Sequence, residues 1–258
     1  MIAEAVAAAK EAKVAVVFAG LPDSYESEGF DRRHIGIPAL HTKLVEAVSA
    51  VNENVVVAIS GGAVIEMPWA GKVKGILNCV LGGEATGSAA ADILFGDVNP
   101  SGKLAETYPL SLSDNPSYNY FPGNTASVEY RESVFVGYRY YDTAQKPVLY
   151  PFGYGLSYTD FEYSDLKLSA DSIKDTDTLT VSFKVKNIGS VDGAEVAQLY
   201  VMDNESTIYR PMQELRGFKK VFLKAGEEKE ISIELGKRAF AYYIVNIPDW
   251  HVESGAFT

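Results

Sequence analysis

Along the first part of the chain, continuous apolar runs alternate with segments whose apolar residues recur every three to four positions. Val14-Ala-Val-Val-Phe-Ala-Gly-Leu21, Asn54-Val-Val-Val-Ala-Ile-Ser60 and Gly75-Ile-Leu-Asn-Cys-Val-Leu81 have the length and composition of strands buried in a parallel sheet. Between the first two, Pro38 opens a helical pattern over Ala39 to Ala50, and proline suits a first helical turn. Glu84 to Phe95 reads as another helix, rich in small residues that allow close packing, and the turn-rich Gly96-Asp-Val-Asn-Pro-Ser-Gly102 stops it. The first dozen residues alternate charge with alanine, as a surface helix does. Strands alternating with helices imply an α/β layer, placed at residues 1–112. Because the chain opens on a helix, this sheet is expected to lack a strand that comes before Met1.

From 113 to 159 the pattern fades into a Pro-, Gly-, Tyr- and Asn-rich stretch read as an extended interdomain linker. It ends in Tyr150-Pro-Phe-Gly-Tyr-Gly-Leu-Ser-Tyr158, a strip suited to lying against another surface. Over 160–258 the period changes to two. Leu179 to Asn187, Ala194 to Val201 and Glu230 to Leu235 alternate apolar and polar residues, with turn signals at Asn187-Ile-Gly189, Asp192-Gly193 and Ala225-Gly226. This predicts a β-sandwich of immunoglobulin or fibronectin type III kind. The expected fold class is therefore α/β plus all-β, an incomplete parallel-sheet domain followed by a sandwich.

Composition changes this picture only by exclusion. A formal charge of -11 without a Lys/Arg cluster disfavours nucleic acid or an anionic membrane surface as partner. A neutral ligand is the natural expectation, and 16 tyrosines would suit sugar stacking or simple packing within sheets. The single cysteine, Cys79, lies in an apolar run and reads as a small buried hydrophobe; it mildly favours a cytoplasmic location. His34, His41 and His251 have no ligand spacing between them, so no metal is expected. The glycines around Gly82-Gly-Glu84 lack the phosphate-loop pattern, and no cofactor is expected. No run approaches the ~20 apolar residues of a membrane span.

Chemistry concentrates in Asp23-Ser-Tyr-Glu-Ser-Glu-Gly-Phe-Asp-Arg32, directly after the first strand. Loops at the carboxyl ends of parallel strands are where open α/β sheets place their sites. Glu28 is the foremost candidate, because Gly29 lets the backbone turn and leaves the carboxyl free. Glu26 competes for the role. The alternative is a merely solvated acidic loop, which Glu26, Asp23 and Asp31 fit better than Glu28 does. Glu84 reads first as a glutamate favoured by a helix dipole.

Glu28-Gly-Phe-Asp-Arg32, Gly82-Gly-Glu-Ala-Thr-Gly87, Leu94-Phe-Gly-Asp-Val-Asn-Pro-Ser-Gly-Lys-Leu104, Gly137-Tyr-Arg-Tyr-Tyr-Asp142, Pro151-Phe-Gly-Tyr-Gly-Leu-Ser-Tyr158 and Glu214-Leu-Arg-Gly-Phe218 follow one another in an order that resembles family 3 glycoside hydrolases. The resemblance covers nearly the whole chain. It implies a three-part enzyme, in which a barrel precedes an α/β sandwich domain and a fibronectin-like domain. This chain corresponds to most of the second part and nearly all of the third, with the last strand cut short at Phe257-Thr258.

Such enzymes are retaining glycosidases, working with one carboxylate nucleophile and one carboxyl that serves as acid and then base. The resemblance puts the nucleophile in the absent barrel and the acid/base at Glu28. The implied substrate is a β-glucoside or oligosaccharide, with the chain inactive on its own. A non-catalytic carbohydrate- or protein-binding module is the rival reading. Sugar, linkage and oligomeric state are not legible.

Overall fold

A computed structural model of the chain describes residues 1–124 and 126–258. They form two compact units: Met1–Val98 with Tyr108–Asn115, and Asn99–Thr107 with Pro116–Thr258.

In the first unit α1 (Ile2–Glu11) leads into β1 (Ala15–Gly20), α2 (Ala39–Ser49), β2 (Val55–Ser60), β3 (Gly75–Val80) and α3 (Thr86–Phe95). The strands form a parallel sheet in the order β1-β2-β3, with Ala15 opposite Val55 and Val56 opposite Gly75. Helices α1 and α2 pack on each other, and α2 lies against β1 and β2. One face of the sheet is thereby covered, burying Val17, Ala19, Val55, Val57 and Ile59. Trp69, in the turn before β3, is fully buried. The helix expected from Glu84 begins instead as a 3-10 turn over Gly83–Ala85 and becomes α3 at Thr86; it ends on Gly96 in the left-handed conformation.

Two expectations are corrected here. The apolar run of β1 is not buried on both sides: Val16 is 41% and Phe18 62% exposed, because β1 is an edge strand covered on one face only. Cys79 is half-buried rather than core, since β3 is the other edge and bulges between Ile59 and Ser60 of β2.

The short strands β4 (Tyr108–Pro109) and β5 (Val148–Tyr150) flank α4 (Tyr138–Thr143). That helix falls inside the stretch that shows no periodicity, because six residues span fewer than two turns and cannot display a period. Beyond it, β6 (Phe161–Leu168), β7 (Leu179–Asn187) and β10 (Glu228–Leu235) form an antiparallel sheet in the order β10-β7-β6. Strands β8 (Gly193–Val201) and β9 (Glu214–Leu223) form the second sheet. The inner faces meet in a core of Val181, Phe183, Val185, Ala197, Leu223, Ile231 and Ile233. Alternation is exact enough that Ile231 faces Phe183 on the inside, while the Ser182 and Ser232 hydroxyls bond at 2.9 Å on the outside. A final hairpin pairs β11 (Tyr242–Ile244) with β12 (Asp249–His251), and Arg238 stacks over Trp250.

Candidate functional site

The carboxyl ends of β1 and β2 open into two loops that run side by side. Leu21 donates its backbone N–H to Ser60 O at 2.9 Å, continuing the strand pairing for one residue. The Glu26 carboxylate then accepts the Gly62 backbone N–H at 2.7 Å. Further on, Arg32 Nη1 donates to Val64 O at 3.1 Å, and Ile35 O accepts the Glu66 N–H at 2.8 Å. Ile35 and Ile37 are buried, which seats the far end of the loop before Pro38 and α2.

Between these tethers the chain bulges outward. Ser27, Glu28, Gly29, Phe30 and Asp31 are all exposed. Gly29 has φ +92°, a conformation that a side-chain-bearing residue adopts only at a cost, and nothing surrounds its missing Cβ. The Glu28 carboxyl has no hydrogen bond or ion pair among the described residues. It stands in a turn, free on all sides, whereas Glu26 two residues earlier is engaged.

Gly62 leaves room for the approach of the Glu26 carboxylate in the second loop. A Cβ there would lie 2.9 Å from Leu81 Cδ1 and 3.3 Å from Glu26 Oε1, displacing the carboxylate that accepts its N–H. Burial pushes the Arg32 guanidinium down from its ordinary value, and the Glu26 charge acts in the opposite direction. Arg32 Nε and Nη2 are buried without a hydrogen-bond partner. At the end of β3, Val80 takes φ +49°, a conformation a β-branched residue enters only under strain, and its carbonyl accepts the Gly61 N–H at 3.1 Å.

The other sequence candidates fall elsewhere. Glu84 is exposed in the 3-10 turn before α3. His41 Nδ1 lies 3.2 Å from Gly20 O at the start of the site, a backbone contact. Among the described residues, no group of three or more His, Cys, Asp or Glu side chains is placed to hold a metal ion, and no helix is long and apolar enough to cross a membrane. The aromatic strip of Tyr150 to Tyr158 borders a cleft of about 400 Å³ in the second unit, lined among others by Tyr138, Phe152, Tyr154 and Tyr200. Several of its polar groups pair with one another or with backbone carbonyls. Tyr200 donates to Gln198 Oε1, Gln198 to Gly153 O, Gln213 to Asp142, and Lys103 bridges Glu195 and Gly155 O.

Sequence reading singled out Glu28 and weighed Glu26, but it missed the partners of Glu26 and Arg32 on the second loop. The available signal was the Gly61-Gly62 pair immediately after a strand, a mark of close backbone approach.

A three-stranded parallel layer with an acidic loop at its strand ends, followed by a fibronectin-like sandwich, is the make-up of the carboxyl-terminal part of a glycoside hydrolase. Residues 1–158 match the glycosyl hydrolase family 3 C-terminal domain and residues 195–258 the fibronectin type III-like domain, and the chain belongs to glycosyl hydrolase family 3. It is 58% identical over 257 residues to thermostable beta-glucosidase B of Acetivibrio thermocellus, covering 100% of this chain and 34% of that protein. It is 49% identical over 255 residues to the exo-alpha-(1->6)-L-arabinopyranosidase of Bifidobacterium longum, covering 98% of this chain and 33% of that protein. The crystal structure of the Bifidobacterium adolescentis family 3 beta-glucosidase superposes with a TM-score of 0.95 at 49% identity, over 99% of this chain and 38% of that one. That of the Kluyveromyces marxianus beta-glucosidase in complex with glucose gives 0.94 at 40% identity, over 99% of this chain and 31% of that one. The chain thus spans about a third of the length of the curated relatives it matches.

Proposed function

We propose that this chain is the part of a retaining β-glucosidase-type hydrolase that supplies its general acid/base, Glu28, and that it acts on terminal β-linked glucosyl residues. One observation carries the reading. Of the two glutamates in the loop after β1, Glu26 is engaged by Gly62 while Glu28 stands exposed and unpaired at the carboxyl end of a parallel strand.

In this role the Glu28 carboxyl gives its proton to the glycosidic oxygen as the bond to the anomeric carbon breaks and a second carboxylate takes the sugar. As a carboxylate, Glu28 then withdraws a proton from the water that displaces that second carboxylate. The second carboxylate belongs to the portion of the longer protein outside this chain, so the chain alone is expected to be inactive.

The test is a chimera in which this chain replaces the matching third of the Acetivibrio thermocellus β-glucosidase, assayed on two β-glucosides. Phenyl glucoside has a leaving group that needs a proton; dinitrophenyl glucoside has one that does not. Glu28→Ala is expected to lower kcat/KM on the phenyl substrate by about 10²- to 10⁴-fold while changing the dinitrophenyl reaction much less, with added azide restoring turnover on the latter. Equal losses on both substrates in an active chimera would remove Glu28 from the role.

A further inference from the structure

Four contacts along the loop that follows β1 engage Ser60, Gly62, Val64 and Glu66, every second residue from the last of β2 onward. They proceed in chain order on both sides, from Leu21 to Glu26 to Arg32 to Ile35. The two inner contacts are made by side chains, and they bracket the exposed bulge that carries Glu28. From this geometry we infer that Glu26 and Arg32 form a clasp that positions Glu28, closing the two sides of its bulge onto the backbone of Gly62 and Val64. The inference rests on the acid/base reading of Glu28.

Three observations support it. Each clasp residue uses the backbone rather than a neighbouring side chain, so the register is fixed by chain geometry. Both tethers fall on one segment only two residues apart, at Gly62 and Val64, on either side of the bulge. The five residues between Glu26 and Arg32, Ser27 to Asp31, are all exposed. Finally, the guanidinium of Arg32 is taken from solvent with Nε and Nη2 unpartnered, an unfavourable burial with the opposite charge of Glu26 as its counterweight. Holding a catalytic carboxyl in place matters because a displacement of about 1 Å is enough to cost a hundredfold in rate.

Glu26 and Arg32 are thus positioning residues, and their effect should pass only through Glu28. In the same chimera, Glu26→Ala and Arg32→Ala are expected to lower kcat/KM on phenyl glucoside by about 10- to 100-fold and leave dinitrophenyl glucoside within a few-fold. Glu26→Gln keeps an oxygen acceptor for Gly62 and should recover part of the loss. Adding Glu26→Ala to Glu28→Ala should cost nothing further on phenyl glucoside, because groups acting as a unit are not additive. Hydrogen exchange of the 258-residue chain supplies an independent readout. Peptides covering 61–65 should exchange faster in Glu26→Ala and not in Glu28→Ala.

Equal losses on the two substrates, additive loss in the double variant, or unchanged exchange at 61–65 would each overturn the clasp. The acid/base reading fails separately, on Glu28→Ala alone, and its failure would take the positioning role with it. If Glu28→Ala behaves as expected while Glu26→Ala and Arg32→Ala do not, only the clasp is wrong.

Discussion

Asn187 has no exposed surface, yet every polar atom of its side chain is paired. Its Oδ1 accepts from Thr159 Oγ1 at 2.6 Å and from the Gly189 N–H at 3.1 Å, and its Nδ2 donates to Val191 O at 2.8 Å and Leu223 O at 3.2 Å. Asn187→Ala would leave the buried Thr159 hydroxyl and Leu223 carbonyl without this mate, and the expected loss is about 3 kcal/mol of stability, since each orphaned buried group costs roughly 1–3. Urea unfolding of the sandwich unit checks this, and a midpoint unchanged from the parent would mean that water replaces the amide. At this scale the sequence is selectively legible. Asn187-Ile-Gly189 announces a turn, and Glu28-Gly29 announces a free carboxyl beside a flexible backbone. What Asn187 joins at Leu223, or Glu26 at Gly62, lies 36 residues away in each case. No local pattern encodes a contact of that range.

Secondary elements follow the same logic. The parallel strands and α2 declare themselves by period and composition, β7 and β10 by alternation, and β8 by a looser alternation with apolar neighbours at Val196-Ala197 and Leu199-Tyr200-Val201. β6 does not, because it bulges between Ser164 and Lys167 and is exposed along nearly its whole length, so no alternation survives to be read. Nor does α4, whose Tyr138 ring stacks on Phe152 at 4.6 Å and donates no helical period. This tyrosine-rich region carries a pH prediction. The Tyr200 phenol is pushed up to about 12 by burial, with the Tyr138 and Asp142 neighbours adding to it. Burial and the Tyr154 neighbour raise Tyr150 as well. An unfolded phenol titrates near pH 10, so the unfolded chain releases this proton first. The stabilisation is whole below about pH 10 and is lost as pH rises toward about 12. Burial raises Tyr163 too, so ultraviolet titration of the folded chain should show several late-ionising tyrosines, and Tyr200→Phe should reduce their number by one. Ionisation of all 16 tyrosines in one step would contradict it.

For the molecule as a whole, the consequential feature is the open side of β1. Val16 and Phe18, at alternate positions of the edge strand, are 41% and 62% exposed, Val14 just before it is 55% exposed, and among the described residues β1 pairs only with β2. An edge strand with unpaired backbone groups and an apolar face is the surface that proteins ordinarily cover or charge. The sequence displayed these residues as a buried run and could not say which face lay open, because burial on both sides and burial on one side of an all-apolar strand have the same composition. The net charge of -11 opposes self-association through long-range repulsion, but that repulsion is screened within about 8 Å at physiological salt, whereas apolar contact is not. The chain is therefore expected to bind a hydrophobic reporter dye at low salt and to self-associate as salt rises. Val16→Thr with Phe18→Thr, which keeps β-branched or strand-compatible residues at both positions, should reduce dye binding and the salt-dependent association together. Sedimentation at graded salt reads the second effect. A dye-silent monomer at every salt concentration would show that the open face of β1 is too small or too curved to act as an apolar surface.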